Sequence, residues 1–543
     1  MSLVLWSSPV RQRGKKVLPP IPNEIYLEIF KHLRPPMFDP WFDRNTVRHL
    51  ACLALVCRFF CSIAVPWMFE SLEIMFRATK SGKASRNRQK FCTNVAERMA
   101  TATAAANLVK RCSICCFTIA IDEPEDPAAV ERECLSLYSK AMWHMSSLNE
   151  LLLSSISLTK EFVLSVANLQ NLKALSIHDC SLADEVNIRH LRGVSSLRLE
   201  RLVATFTDTD GQAILDGNTA AAMHSFFDQL TYSSMLDLST SSWYLIKQLA
   251  KCDEVLPLQK LSMYFVNDLD VMATLFQRTP FLKTLRALGI IPLLEDPDLI
   301  FHLDTKVLPM LEDTEAPVPV LSALVPGRPI STLRILQLAE MYPKIEDEEI
   351  KAFTSSSSFI HFMQIPGRLY NELPFHQHFP HLHILQMNFT KKDIEDDKHV
   401  MNLQHLSELT HSWPKHPPLH TLRLDFEGIS MVERFLDLKK QHEWVSKILM
   451  PKIPTLRKFC LAEFIQWSYC DTEKAWKPKL SPTYVGIFIT LWQVFKKEIE
   501  YVDFDGYFDR WWAISMSTTR WKCTLINCYY YDLPYCIPPI THY

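Results

Sequence analysis

Apolar residues recur at four-residue intervals near the start of the chain. The stripe consists of Ile21, Ile25, Ile29 and Leu33. This spacing places side chains on one side of an α-helix. Because proline disfavours helical backbone in the residue before it, Pro35 and Pro36 predict that the helix ends at about Leu33.

A second apolar band runs from Val47 to Phe60, and Pro66 interrupts it farther on. The band predicts a helical run longer than the first. Helices of this length are marginal on their own, because they bury too little apolar surface. We therefore expect a neighbouring domain or a partner to cover their apolar faces.

A different pattern, Leu-x-x-Leu-x-Leu, returns along the rest of the chain. Copies start at Leu148, Leu172, Val194, Leu258, Leu333, Leu382, Leu419, Leu456 and Ile499, with a partial copy at Leu282 and a degenerate one near Leu236. The early copies lie roughly 22–24 residues apart, a period typical of stacked repeats. The final Leu-x-Leu predicts a strand with inward leucines, and the return segment predicts a helix or loop. Unrelated amphipathic helices are the alternative, since three- and four-residue spacings also fit a helical face.

The N-terminal pattern also resembles a known family. Ile21-Pro22-x-Glu24-Ile25, then Ile29-Phe30-x-x-Leu33, then Leu55-Val56-Cys57-Arg58 with Trp67 and Leu72, is similar to the F-box. The resemblance implies an all-α module over residues 18–75 that docks on a Skp-type adaptor. The adaptor-binding residues it implies are Ile21, Pro22, Ile25, Ile29, Leu33, Leu53, Val56 and Cys57. An ordinary pair of core helices is the alternative.

The Leu-x-x-Leu-x-Leu copies that follow this module resemble leucine-rich repeats. The expected fold is an α/β solenoid, an irregular leucine-rich-repeat horseshoe, with a small N-terminal all-α F-box module. Residues 76–140 are then a linker with connecting helices, and residues 141–510 are the solenoid. The aromatic-rich residues 511–543 are interpreted as a C-terminal cap; a base-stacking platform is the alternative, and it lacks a surrounding basic patch.

Composition narrows the functional classes. The 543 residues carry a formal net charge of −2, so nothing global predicts binding to nucleic acid or to a membrane surface. Glycine occurs only 11 times, and neither the dinucleotide-binding nor the P-loop glycine motif is present, which argues against a nucleotide-dependent enzyme. The 15 cysteines show no disulfide framework and no secretory signal precedes them. We expect a cytoplasmic or nuclear protein with reduced thiols.

Two clusters suggest metal chemistry. Cys112, Cys115 and Cys116 contain one CxxC, but a zinc site needs a second pair of ligands, and none follows at a suitable spacing. Four histidines occur in the stretch HQHFPHLH, at His376, His378, His381 and His383. Metal binding is one interpretation; structural histidines on the approach to a strand are the other, which we favour. No nucleophile–base pair is evident, so we expect neither enzymatic activity nor a cofactor.

The expected register also predicts a target-binding face. Side chains between the inward leucines of each strand should line the concave surface. The tentative target-binding residues are Arg198, Lys260, Gln337, Gln386, Arg423 and Lys458. Basic residues predominate in the middle of the predicted face, which favours an acidic or phosphorylated target segment. Charges that only keep the face soluble are the alternative.

The two resemblances together imply the substrate-recognition subunit of an SCF-type cullin–RING ubiquitin ligase. The F-box would dock on the Skp-type adaptor, and the repeats would bind an unknown protein target. Such a subunit makes no bonds itself; it raises the concentration of the target near the conjugating enzyme. A non-ligase interaction scaffold and an enzyme whose site is recognisable only in three dimensions are the alternatives.

Overall fold

The computed structural model describes thirteen segments of the chain. They are residues 11–13, 16–18, 21–33, 44–77, 83–117, 127–206, 223–290, 301–336, 345–372, 375–389, 418–426, 438–461 and 465–480. These segments form two compact units. Unit 1 runs to Phe206 and includes the segment that ends at Met235, whereas the described part of unit 2 begins at Leu236.

Unit 1 combines short helices with a parallel sheet. Its elements are β1 (Arg11–Arg13), β2 (Lys16–Leu18), α1 (Asn23–Leu33), α2 (Arg44–Ala54), α3 (Arg58–Phe69), β3 (Ser71–Arg77), α4 (Lys83–Ala96), α5 (Ala100–Ala106), β4 (Arg111–Phe117), α6 (Pro127–Met142), β5 (Glu150–Ser154), β6 (Ser157–Leu158), α7 (Lys160–Ala167), β7 (Ala174–His178), β8 (Ser181–Leu182), α8 (Ile188–Leu191), a 3₁₀ turn (Arg192–Ser196), β9 (Arg201–Thr205) and α9 (His224–Phe227). The strands β3, β4, β5, β7 and β9 pair in that order, all parallel.

Unit 2 continues the same alternation of strand and return segment. Its elements are β10 (Asp237–Thr240), α10 (Trp243–Lys251), β11 (Lys260–Met263), α11 (Leu269–Arg278), β12 (Thr284–Ala287), β13 (Asp313–Pro317), α12 (Val318–Leu324), β14 (Thr332–Leu336), α13 (Asp347–Thr354), β15 (Phe362–Pro366), a 3₁₀ helix (Gly367–Glu372), α14 (Phe375–His378), β16 (Ile384–Phe389), β17 (Thr421–Phe426), α15 (Leu438–Trp444), a π-helical turn (Val445–Leu449), α16 (Met450–Lys452), β18 (Lys458–Leu461), β19 (Ile465–Cys470) and β20 (Ala475–Leu480). β10 to β18 pair in sequence order and are parallel, whereas β19 and β20 are antiparallel.

Each repeat strand buries alternate side chains. In β5, Leu151 and Leu153 are buried while Glu150 and Leu152 are partly exposed. The same alternation recurs in β11, β14 and β16. A lone strand cannot bury such a face, but stacked parallel strands make a continuous core. This architecture is a leucine-rich-repeat-like solenoid, as the repeat pattern predicts.

Several return helices begin at a capping side chain. The Thr159 hydroxyl accepts the N–H of Phe162 at the start of α7. A carboxylate oxygen of Asp268 accepts the N–H of Asp270 and that of Val271 at the start of α11. Caps of this kind satisfy backbone donors that the first helical turn leaves without partners. They therefore fix the point at which the chain leaves a strand and turns into the outer helix.

The predicted register is wrong in two repeats. The third copy was placed on Leu197 and Leu199, but the strand is β9, in which Leu202 and Ala204 point inward and Arg201 pairs with Ala174. Leu197 and Leu199 are buried in the segment that precedes it. The degenerate copy near Leu236 corresponds to β10, in which Leu238 is buried.

The second error lies in β14, where the register is shifted along the strand. Leu333 and Ile335 are buried and Leu336 is only partly buried, so Ile335 belongs to the core and not to the outward face. The segment offers apolar side chains at both parities, and Ile330, which is fully buried, shows the correct start of the template. Pattern alone did not separate the two registers.

The sheet starts earlier than residue 141. β3 pairs with β4, and β4 pairs with β5. Residues 76–140, interpreted as a linker with connecting helices, therefore include a repeat strand as well as helices. The pattern Val109, Cys112 and Ile114 is the template with a cysteine in the central position, and all three side chains are buried.

Two further repeats were missed, and one expectation falls outside the described segments. β13 presents Thr314 and Ala316 inward, and β15 presents Met363 and Ile365. A search for leucine finds neither, although both keep the spacing of the template. The expected copy at Ile499 and the cap over residues 511–543 lie outside the described residues.

None of the described helices combines the length and the apolar character that crossing a bilayer requires.

Candidate interaction surfaces

The helical module of unit 1, α1 to α3, buries one side of α1. Tyr26 packs on Phe60 with ring centroids 5.2 Å apart, and Phe30 packs on the same ring at 5.1 Å. Phe30, Leu50 and Ala64 form the buried centre of the module. As predicted, α1 ends at Leu33. The second apolar band is two helices, since the chain turns between α2 and α3, and α3 continues through Pro66 to Phe69.

The other apolar side of α1 faces solvent. Ile25 and Ile29 are each 50% exposed, and Leu27 is 42% exposed. Ile25 and Ile29 precede the inward Tyr26 and Phe30 by one position, which turns them about 100° away around the helix, whereas Leu27 lies on the other flank. The four-residue stripe of the sequence is thus not the face that builds the module core. We call Ile25 and Ile29 the α1 apolar surface; exposed apolar groupings of this kind are typical of protein interaction sites.

The turn between α2 and α3 also exposes apolar side chains. Leu55 is 87% exposed and Val56 is 64% exposed. Two neighbours that the F-box resemblance assigns to adaptor binding also have contacts within the module. Leu53 packs against the module core, and the Cys57 sulfur accepts the N–H of Phe60 at the start of α3. Leu55, which was not among the assigned residues, is the most exposed of the group.

The remaining assigned residues lie at the start and end of α1. Pro22 is exposed, and its carbonyl oxygen accepts the N–H of Ile25 at 3.1 Å. Ile21 is partly buried. Leu33 is the last residue of α1.

The outward face of the unit 2 sheet is a second candidate surface. A central row of side chains crosses it, one from each parallel strand in register. The row consists of Ser239, Ser262, Arg286, Glu315, Arg334, Gln364, Gln386, Arg423 and Cys460. This row is polar throughout except at its cysteine end, as a solvated face requires.

Most charges of this face are paired within it. Arg286 Nε lies 3.3 Å from a Glu315 carboxylate oxygen, and Arg334 forms an ion pair with Asp313. Arg423 lies 3.6 Å from Asp425, which also accepts a hydrogen bond of 2.8 Å from the Gln386 amide. The strand β13, which the pattern missed, adds the acidic Asp313 and Glu315 to the middle of this face, where they pair with its arginines. These pairs hold the arginines in fixed orientations.

Electrostatics on this face follow from partial burial. Burial raises the pKa of Glu315, against the opposing effect of Arg286 and Arg334. The Arg334 guanidinium also lies over the ring of Phe362, 5.1 Å from its centroid. Arginine on an aromatic ring is a combination enriched among residues that dominate interface energies.

The predicted target-binding residues occupy different places. Lys260 and Lys458 are the exposed first residues of β11 and β18. Gln386 and Arg423 lie in the central row. Arg198 is exposed in the segment before β9 and is not a strand residue, so Val203, which pairs with Ser176, takes the place predicted for it. Gln337 lies outside the described residues.

Unit 1 has its own outward face. Arg201 on β9 reaches Glu150 on β5, with 3.5 Å between the charged groups. His178 on β7 lies 2.6 Å from the Thr205 hydroxyl, and burial lowers the pKa of His178.

The cysteine cluster of unit 1 is buried at Cys112 and partly buried at Cys115 and Cys116. Residues three apart on a strand point to opposite faces, so Cys112 and Cys115 cannot chelate one ion from β4. Burial raises the pKa of Cys112, and it raises the pKa of Cys116 to about 11. Thiols with raised pKa values are poor ligands and poor nucleophiles at neutral pH. Within the described ranges, no group of three or more His, Cys, Asp or Glu side chains is arranged to hold a metal ion.

Comparison with known proteins adds little to this geometry. No protein-family model matches the sequence. None of the curated proteins is similar to it. Among solved structures, the chain is similar to an internalin from Listeria monocytogenes, a leucine-rich-repeat protein, with 11% sequence identity over 63% of this chain and 91% of that chain. The TM-score is 0.24, so the repeat assignment depends on the parallel strands and their inward apolar residues alone.

Proposed function

We propose that the chain is an interaction subunit that docks through the α1 apolar surface and binds a protein target through its repeats. In its specific form, the proposal is the substrate-recognition subunit of an SCF-type cullin–RING ubiquitin ligase. The observation that supports it is the half-exposed Ile25 and Ile29 on a helix whose adjacent side, with Phe30, already fills the module core. The F-box resemblance of the same residues supports a Skp-type adaptor as the docking partner.

Burial in an interface is energetically favourable for the α1 apolar surface. Burying the side chain of an isoleucine gains about 1.5–3 kcal/mol relative to leaving it exposed. An aspartate at the same place would have to enter the interface without a partner, which costs several kcal/mol. The α1 apolar surface is therefore a place where one charge per residue should abolish binding without disturbing the inward Tyr26 and Phe30.

We predict that Ile25→Asp with Ile29→Asp abolishes capture of the chain by an immobilised Skp-type adaptor. The matched control is Val255→Asp with Phe281→Asp, since these unit 2 residues are 57% and 50% exposed and receive the same charges. Circular dichroism melts should show both variants folded. Capture of the α1 double variant at the unmodified level would refute docking through this surface.

The ligase and scaffold forms of the proposal differ in one partner. A ligase subunit brings cullin with the adaptor, whereas a scaffold that uses the same adaptor does not. Co-purification of cullin with the full chain, lost in the Ile25→Asp, Ile29→Asp variant, supports the ligase. Adaptor without cullin supports the scaffold. Turnover by the isolated chain would instead support the enzyme alternative.

A further inference from the structure

Three consecutive strands of unit 2 are each preceded by a histidine. His361, His383 and His420 come directly before β15, β16 and β17. Their backbones are in register, since the carbonyl oxygen of His361 accepts the N–H of His383, and that of His383 accepts the N–H of His420. The imidazole rings follow the same order, with centroids 5.4 Å apart for the first pair and 5.1 Å for the second. We call these three residues the histidine ladder.

The ladder has an apolar end and a basic end. Phe359, which is 60% exposed, packs on His381 with ring centroids 3.9 Å apart. The Nδ1 of His361 donates to the carbonyl oxygen of His381 at 3.1 Å, which leaves Nε2 to accept a proton. At the other end Arg457 occupies the next position and lies over the ring of Tyr469.

Acidic groups near the ladder are few among the described residues. Asp471 is paired with Arg457 at 3.4 Å. Glu312 lies two strand positions before His361, with Ser331 between them. The first residues of β15, β16 and β17 are uncharged, and the other titratable side chains on adjoining positions are His381 and Lys458. A protonated ladder is therefore a row of positive charges without compensation by these neighbours.

The middle residue of the free ladder resists protonation. Burial lowers the pKa of His383, and His420, His361 and His381 lower it further. Like charges about 5 Å apart repel each other even with solvent screening. An anion placed along the row removes that repulsion, because each imidazolium gains an opposite charge and a charge-assisted hydrogen bond.

We propose that the histidine ladder, with Arg457, binds an acidic peptide segment through its carboxylate or phosphate groups and takes up protons as it does so. The site is distinct from the outward face of the sheet, where the charges are already paired. Binding at the histidine ladder does not depend on adaptor docking, so it can also be measured on the Ile25→Asp, Ile29→Asp variant.

The sign of the pH dependence follows from linkage. Binding raises the histidine pKa values above those of the free ladder, so the complex holds more protons than its separate parts. Affinity therefore increases as pH falls through the histidine range, by up to roughly tenfold per pH unit for each proton taken up. Above that range the ladder is neutral and only Arg457 contributes.

The experiment measures binding of a fluorescent oligoglutamate peptide to the full chain by anisotropy, from about pH 8 to about pH 5.5, where histidine titrates and glutamate stays ionised. An oligoglutamine peptide of equal length tests the need for charge, and an oligophosphoserine peptide tests phosphate as the source. The variant replaces His361, His383 and His420 with Asn, the residue that Asn149 provides at the equivalent position before β5. The control is His302→Asn, an exposed histidine of the same unit.

The proposal expects binding of oligoglutamate to strengthen at least about tenfold on acidification, and the triple variant to lose most of that gain while His302→Asn keeps it. Titration calorimetry in buffers of different ionisation enthalpy should show proton uptake that the triple variant lacks. Equal pH dependence in the triple variant, or equal binding of oligoglutamine, would overturn the proposal. Because adaptor capture is measured separately, a negative result here leaves the docking proposal standing.

Discussion

In unit 1, the residues that directly precede the strands pair their charges with one another. Lys110 lies 3.3 Å from Glu70, and Lys173 lies 2.7 Å from Glu200. Asn149 occupies the position between Lys110 and Lys173. We call these residues before the strands the unit 1 ladder. In it, the backbone carbonyl oxygen of one repeat accepts two N–H groups from the next repeat; the Lys110 oxygen, for example, accepts from Asn149 and Glu150.

Unit 2 repeats this backbone arrangement with different side chains. The His383 carbonyl accepts the N–H of His420 and that of Thr421, just as Lys110 serves the following strand in unit 1. The hydrogen bonds thus require a carbonyl and no particular side chain. The residue before each strand can therefore carry a charged side chain in unit 1 and an imidazole in unit 2. The fold does not require either type of side chain at this position.

The largest contrast between the units should come from Arg328, a charge that unit 2 buries completely. Its guanidinium donates to the carbonyl oxygens of Val307 and Asp304, each at 2.7 Å, and to three at the end of α12. Burial lowers its pKa to about 10. We predict that Arg328→Met lowers the free energy of unfolding by about 3–5 kcal/mol, because these carbonyls lose their donors.

Hydrogen exchange locates that effect. Protection should fall in residues 301–336 and stay unchanged in unit 1. Lys447→Met, which breaks an exposed ion pair with Glu443 in the same unit, is the control and should cost less than about 1 kcal/mol. A loss for Arg328→Met no larger than that of the control would contradict the role assigned to it.

Equivalent inward leucines should contribute similarly to stability in the two units. Leu175 in β7 and Leu422 in β17 are both fully buried inward residues. Changing either to Ala should cost about 2–5 kcal/mol through lost transfer energy and an unfilled cavity. Thermal and urea melts measure the loss. A cost well under about 1 kcal/mol at one site only would show that the repeats of that unit are packed differently.

The smallest expected changes in stability should distinguish the unit 1 ladder from the histidine ladder of unit 2. Lys173→Met breaks an exposed ion pair, which should change stability by less than about 1 kcal/mol, equally at all pH values from about 5 to 8. His383 behaves differently because its folded pKa is lowered. The unfolded chain then binds the proton more readily, so this histidine reduces stability as pH falls below the ordinary value of about 6.5.

We therefore predict that His383→Asn makes the melting temperature less sensitive to pH between about 7.5 and 5.5. His302→Asn should leave that sensitivity unchanged. An identical pH profile for the His383 variant and the unmodified chain would remove the electrostatic distinction between the ladders.

The repeat fold was largely predictable because its signal is local. Leu148, Leu151 and Leu153 sit at fixed spacing, and all three are buried. The signal failed where chemistry replaced leucine, as at Thr314, and where two parities were both apolar, as around Ile335. Neither case can be decided from one strand, because register is set by the neighbouring strand.

The candidate surfaces were predictable only in part. The spacing of Ile25 and Ile29 indicated an apolar helix face, and both proved half exposed. The histidine ladder was not predictable, because His361, His383 and His420 are far apart in sequence and meet only when strands stack in register. Sequence drew attention to HQHFPHLH, in which His383 belongs to the ladder and the carbonyl oxygen of His381 contacts His361.

The reversal of chain direction at β19 also bears on how such an array can evolve. A duplicated strand and return segment inserted between β17 and β18 would find a parallel neighbour on both sides. The same duplication placed after β18 would meet β19, which runs the other way. Gain and loss of repeats are thus compatible with the interior of unit 2 but not with this junction, and related chains should differ in length there least of all.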